Sequence, residues 1–227
     1  TGVVSEYRRR HIPIDVIVQD WEYWGEKPHW NALVWDSVRF PNPKAAIDRL
    51  HEEFGVRLLV SVWPGFGPET AVYRDLEAAG ALFDERTWAG YKVFDAYDPA
   101  ARDIVWSHFR TGLFDTGVDG WWMDATEPSF REGFTQRKQE ARTKSAGKTR
   151  MGAFHRYLNT YSLVWMGDLY GRLRAAAPER RPLLFTRSAF AGQQRYGTAV
   201  WSGDIIASWE TMKRQLAAGV NLAASGF

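Results

Sequence analysis

The chain has 227 residues, enough for one large domain with its own core, and 45% hydrophobic against 25% charged residues is ordinary globular composition. A net charge of +2 with dispersed basic residues gives no case for nucleic acid, and the densest run, Arg8-Arg9-Arg10, reads as a solvated helix end. Zero cysteines exclude disulfides, thiolate zinc sites and a cysteine nucleophile, a composition that slightly favours a periplasmic or secreted bacterial protein.

From the N-terminus, Thr1-Gly2-Val3-Val4 lacks a signal-peptide plan and begins in mid-helix. Ile14 to Asp20 is a β-branched strand ending in an acid. Asn42-Pro43 then caps a helix carried by Ile47, Leu50 and Phe54 and stopped by Gly55. Arg57 to Pro64 is the next strand, and Ala71 to Ala79 a helix closed by Gly80. Ala81 to Ala96 reads as an irregular excursion with strand fragments. Asp98-Pro99 opens a helix with Val105, Phe109 and Leu113 on one face, and Gly117 ends it.

Gly120 to Asp124 is a strand, and residues 129–148 form a polar, glycine-punctuated insertion, a long loop or partly helical. A long helix is expected over Phe154 to Ala177, then strands Pro182 to Arg187 and Ala199 to Asp204. Trp209, Met212, Leu216 and Val220 mark a last helix, followed by a strand-like apolar run from Asn221 to Ser225. No apolar stretch is long enough to span a membrane.

Strands that are apolar almost throughout, alternating with helices, indicate a parallel sheet covered by helices. Five strands end in an unusual residue: Asp20, Trp63, Asp124, Arg187 and Asp204. In a (β/α)8 TIM barrel the active site is built at that end. A doubly wound sheet also alternates, but no G-x-G-x-x-G follows a strand here. The expectation is an incomplete barrel over residues 1–227, about strands 2 to 7, with both ends cutting through a larger fold. Missing domains of a longer parent chain are therefore the expected partners.

The chemistry concentrates in Gly120-Trp121-Trp122-Met123-Asp124-Ala125-Thr126-Glu127-Pro128. The chain holds 12 Trp, 9 Tyr and 13 Phe. Sugar rings present apolar C–H faces and polar rims, so their pockets need aromatic faces beside carboxylates. Cleaving a glycosidic bond needs two carboxyls, one to attack carbon and one to donate a proton. Asp124 and Asp204 could meet only through the fold. Magnesium is the rival use of these acids, but tryptophans crowd the same positions and Arg187 repels a cation. The histidines show no H-x-x-x-H or H-E-x-x-H spacing, and no G-x-S-x-G is present. No cofactor and no metal are expected, and the partner is an oligosaccharide substrate rather than nucleic acid or membrane.

Trp122-Met123-Asp124-Ala125-Thr126-Glu127 resembles the W-x-D-x-x-E nucleophile segment of glycoside hydrolase family 31. Thr186-Arg187-Ser188 through Arg195-Tyr196 to Trp201-Ser202-Gly203-Asp204 resembles that family's arginine and acid/base block, and Ile12 to Trp21 its second-strand segment. The resemblance implies a retaining hydrolase with a covalent glycosyl-enzyme, Asp124 as nucleophile and Asp204 as general acid/base, their carboxyls about 5–5.5 Å apart. Asp124 then needs a low pKa, helped by Arg187. Asp20 and Arg187 would bind sugar hydroxyls, Trp122 and Trp201 would wall the subsite, and Glu127 would be a supporting partner.

Within the family, Val18-Gln19-Asp20-Trp21-Glu22-Tyr23-Trp24-Gly25, Trp30-Asn31-Ala32 and Ser61-Val62-Trp63-Pro64 look most like bacterial α-xylosidases acting on xyloglucan oligosaccharides. Trp63 would fill the space that a hexose CH2OH needs. An α-glucosidase or transglucosylase on the same scaffold, and a non-catalytic carbohydrate-binding barrel, are the alternatives. The family's first strand, its closing strands and its N-terminal β-sandwich have no counterpart among these residues.

Overall fold

A computed structural model describes residues 1–128, 141, 144 and 146–227. Most of the expected 129–148 insertion lies outside the described residues. Five strands form one wholly parallel sheet in the order β1-β2-β6-β9-β10: β1 (Val16–Gln19), β2 (Arg57–Val62), β6 (Gly120–Met123), β9 (Leu184–Thr186) and β10 (Thr198–Val200). Between them run α1 (Gly2–Arg9), α2 (Pro43–Phe54), α3 (Ala71–Ala78), α4 (Pro99–Gly112), α5 (Tyr161–Ala176) and α6 (Trp209–Ala224). Neighbouring strands in this sheet follow one another around it, the ordering of a barrel wall left open between β1 and β10.

The helix starts follow local chemistry. Asn42 accepts from the Ala45 N–H at 3.0 Å with Pro43 next, and Asp98 accepts from Ala100 at 3.0 Å with Pro99 next. Gly55 ends α2 at φ +63°, where a side chain would be strained. One face of the sheet is sealed by helices: α4 puts Phe109 on Trp121 of β6 with ring centroids 4.2 Å apart. On the other face Trp122, Phe185 and Trp201 pack together, with centroids 5.6 Å (Trp122–Trp201) and 4.7 Å (Phe185–Trp201) apart. Adjacent tryptophans on a strand must point to opposite faces, so Trp121 and Trp122 serve different cores.

Three expectations change. Asn221 to Ser225 is not a sixth strand. It closes α6, where the Asn221 side chain donates to the Ala217 carbonyl at 2.9 Å. Alanine-rich sequence with no β-branched residue after Val220 continues a helix readily. The long helix begins at Tyr161, because Phe154–Arg156 and Leu158–Thr160 are separate 3-10 turns. The 81–96 excursion is ordered: β3 (Gly65–Phe66), β5 (Lys92–Phe94) and β4 (Leu82–Arg86) form an antiparallel sheet, and β7 (Lys148–Thr149) pairs with β8 (Gly152–Ala153).

At the N-terminal end of the strands, opposite the site described below, Asp119 staples four segments. Its carboxylate accepts from the Leu58 N–H at 2.9 Å, Arg57 Nη1 at 3.2 Å and Arg180 Nη2 at 3.0 Å, and His51 Nε2 lies 2.7 Å away. His51 is thus half-buried and paired. Asp119→Ala leaves two arginines and a backbone N–H without their acceptor, and is expected to cost about 3 kcal/mol. A urea midpoint unchanged from wild type would contradict this.

Candidate active site

Sheet register brings the site together. Val62 pairs with Met123, Met123 with Thr186, and Thr186 with Val200. One residue further along, Trp63, Asp124, Arg187 and Trp201 therefore come level at the C-terminal rim. They alternate with the helix-facing residues, so they continue the face that carries Trp122 and Phe185. Asp20 does not come level with them. Gln19 pairs with Val60, which sets Asp20 beside Ser61, two residues short of Trp63. Asp20 is exposed, and its Oδ1 accepts from the Trp21 N–H at 2.7 Å.

Arg187 is the hub. Its Nη2 and Nε lie 2.8 and 2.9 Å from Glu127 Oε1, and its Nη1 lies 3.4 Å from Asp124 Oδ1 and 3.7 Å from Asp204 Oδ2. Two carboxylate oxygens on one nitrogen can be no further apart than those distances laid end to end, about 7.1 Å. Glu127, the second acid of the motif, is a support for the arginine: its other oxygen, Oε2, is buried and has no hydrogen-bond partner among the described residues. The site's central charge is a guanidinium, and among the described residues no group of three or more His, Asp or Glu could hold a metal ion.

Asp124 sits at a sharp turn. Its N–H donates to the Val62 carbonyl at 2.8 Å, and Ala125 behind it has φ +50°, a left-handed conformation costly for a residue with a Cβ. The turn lets the Ala125 N–H donate to Asp124 Oδ1 at 2.7 Å. Even so, burial pushes the Asp124 carboxyl up to about 6, against the pull of Arg187 and of that N–H. The expected low pKa is overturned, because desolvation outweighs a cation 3.4 Å away. Asp204, by contrast, has a fully exposed side chain.

A cleft of about 650 Å³ is lined by Trp63, Trp88, Tyr91, Glu127, Arg187 and Asp204, among others, with Ala125 rather than Asp124 reaching it from the turn after β6. Trp122 and Trp201 are absent from its lining and instead pack on each other beneath it. Trp63 is pinned from behind by buried Asn31, whose side chain donates to the Trp63 and Gly65 carbonyls at 2.6 and 3.1 Å and accepts from the Trp63 N–H at 3.3 Å. Trp30 stacks on Tyr91 at 5.0 Å and meets Trp63 edge-on, also at 5.0 Å. The strand must be glycine at 65, where a Cβ would come within 2.2 Å of the Tyr91 ring. Sequence reasoning misses Trp88 and Tyr91, because the short strands of the 81–96 excursion carry no periodic signal.

Residues 1–227 match the family described as the glycosyl hydrolases family 31 TIM-barrel domain. An α-xylosidase of Saccharolobus solfataricus is 38% identical over all of this chain and 29% of its own length. α-Glucosidase 2 of Bacillus thermoamyloliquefaciens is 28% identical over 99% of this chain and 29% of its own. The crystal structure of a family 31 α-xylosidase from Xanthomonas citri superposes with a TM-score of 0.89 at 35% identity, covering 99% of this chain and 25% of that one. A soil-metagenome family 31 α-xylosidase complexed with xylose gives 0.86 at 30% identity, covering 99% and 32%. The chain thus spans roughly a quarter to a third of each of these relatives. It belongs to glycoside hydrolase family 31, as part of that family's TIM-barrel domain.

Proposed function

We propose that the chain carries the catalytic pair of a retaining exo-α-glycosidase that removes terminal α-linked xylose from xyloglucan-type oligosaccharides. The observation that carries this reading is the shared guanidinium: Asp124 and Asp204 both approach Arg187 Nη1, so their facing oxygens are within about 7.1 Å. That bound brings both carboxyls within reach of one glycosidic bond but overlaps the inverting range of about 6.5–9.5 Å, so the retaining course is proposed on membership of family 31.

In the first step the Asp124 carboxylate attacks the anomeric carbon, and the leaving oxygen takes the proton of Asp204 as its bond to that carbon breaks. In the second, Asp204, now a carboxylate, takes a proton from water, the water oxygen replaces Asp124, and α-xylose leaves. Two displacements restore the starting configuration. Arg187 opposes the charge on Asp124 between turnovers and meets the hydroxyls of the sugar, with Asp20 proposed as a second hydroxyl partner.

The choice of xylose rests on Trp63, whose backbone is held by Asn31, whose indole Nε1 donates to Ser61 Oγ at 3.2 Å, and which takes up room at the rim. The names of the archaeal and Xanthomonas relatives point the same way. A longer parent polypeptide belongs to the proposal. It is supported by the short share of each relative that the chain spans, and by the α6 stripe of Trp209, Met212, Leu216 and Val220, all exposed. A periplasmic or secreted setting is proposed on the absence of cysteine.

The full-length parent assayed on p-nitrophenyl α-xyloside and α-glucoside tests the substrate. The xyloside is expected to give the larger kcat/KM. A larger value for the glucoside would reassign the protein to α-glucosidase activity, in line with the Bacillus relative's name.

A further inference from the structure

Trp63 stands one residue beyond β2, and its place at the rim is set by side chains rather than by a neighbouring strand. The β1–β2 ladder ends at Gln19 and Val60, three residues short of Trp63. At the other edge of β2, the Val62 carbonyl accepts from the Asp124 N–H at 2.8 Å. Successive residues of a strand turn their peptide groups to opposite edges, so the Trp63 N–H and carbonyl face the side where β1 has ended. Peptide groups buried there need partners from elsewhere.

The Asn31 amide supplies them. Its Oδ1 accepts from the Trp63 N–H at 3.3 Å, and its Nδ2 donates to the Trp63 carbonyl at 2.6 Å and the Gly65 carbonyl at 3.1 Å. One side-chain amide thus does for Trp63 what a strand backbone does for Val60. Asn31 is fully buried at φ +52°, a left-handed conformation that asparagine tolerates better than most residues. Its segment is tied down on either side: the Gly67 N–H donates to the Trp30 carbonyl at 2.9 Å, and the Ala32 N–H to the His29 carbonyl at 3.1 Å. The indole has a second hold. Its Nε1 donates at 3.2 Å to the hydroxyl of Ser61, fully buried on the same face two residues back. Backbone and ring are therefore fixed separately.

We propose that Asn31 and Ser61 are positioning residues that set the sugar selectivity of the site through Trp63. Neither is among the residues lining the cleft, so both act at one remove from the sugar. This rests on the reading of Trp63 as the residue that takes the room of a hexose CH2OH. Discrimination by one small substituent is worth about 10- to 200-fold, and it lasts only while the excluding side chain cannot move aside. The two-point clamp prevents that movement.

The test measures kcat/KM on p-nitrophenyl α-xyloside and α-glucoside in the full-length parent protein and reads their ratio. Asn31→Asp keeps the backbone conformation and the acceptor for the Trp63 N–H, but turns a carboxylate oxygen toward two carbonyls. Its xyloside-to-glucoside ratio is expected to fall about tenfold. Ser61→Ala removes only the hydroxyl and is expected to lower the ratio about threefold. In a Trp63→Ala background neither substitution should move the ratio further. A residue that merely holds the fold lowers both rates alike and leaves the ratio in place. An unchanged ratio in either folded variant, or the same shift with and without Trp63, would overturn the proposal. Should Asn31→Asp fail to fold, Ser61→Ala decides by the same comparison. A wild-type protein that prefers the glucoside defeats the xylose reading alone. A ratio shift that vanishes in the Trp63→Ala background then still supports the clamp, and one that persists or never arises overturns it.

Discussion

Asp124→Asn in the parent protein is expected to lower kcat by on the order of 10⁴-fold or more, while making the protein more stable at neutral pH. The loss follows from removing the group that forms the bond to carbon. The gain follows from burial: the Asp124 carboxyl is held at about 6 against an ordinary 3.8. Between those values the folded state holds a proton that the unfolded chain has released. Asp124 therefore destabilises the fold as pH rises through that window, and the penalty is complete above about 6. Roughly two pH units correspond to up to about 3 kcal/mol. Thermal unfolding should find the asparagine variant ahead of wild type at pH 7 and level with it below pH 4. Equal melting temperatures at pH 7 would contradict the burial argument. Kinetics give a second reading, because only ionised Asp124 attacks: wild-type kcat/KM should fall as pH drops through about 6.

Arg187→Ala should produce the next largest effect, a fall in kcat/KM on the order of 10²–10³, equivalent to about 3–4 kcal/mol of the barrier. Three carboxylates, Asp124, Glu127 and Asp204, then face one another without their common cation. The charge that pulls the Asp124 carboxyl down is lost, so the acid limb of the pH profile moves to higher pH. Lysine should not rescue the enzyme. Arg187 uses Nε and Nη2 on Glu127 while Nη1 serves the other two acids, a planar fork that one ammonium cannot copy. A lysine variant with wild-type rates, or an acid limb that stays in place, would show that Arg187 is peripheral.

The parts of this molecule that are legible in its sequence are those written locally. Asn42-Pro43 and Asp98-Pro99 mark helix starts because the cap and the first-turn proline are neighbours in sequence. Asp124, Arg187 and Trp63 stand out because each follows a continuous apolar run, and parallel pairing then sets them level. What is not legible depends on partners far along the chain. The stagger that leaves Asp20 beside Ser61 is a property of pairing, not of either strand. The raised Asp124 carboxyl depends on how much water the fold removes, which an arginine seen in sequence does not reveal. Two- and three-residue strands hide the sheet that presents Trp88 and Tyr91. Asn221 to Ser225 looks like a strand in sequence and folds as helix, because a short apolar run has no period of its own.

The central claim is that Asp124 becomes covalently bonded to the sugar. A fluorinated α-xylosyl fluoride, with a good leaving group and slowed turnover of the intermediate, should accumulate that species in the parent protein. Mass spectrometry of the labelled protein and its peptides should then find one added fluoroxylosyl group on the peptide containing Asp124. A label on the peptide of Asp204, or turnover of the reagent with no covalent species and the β-anomer of the fluoroxylose as first product, would contradict the account.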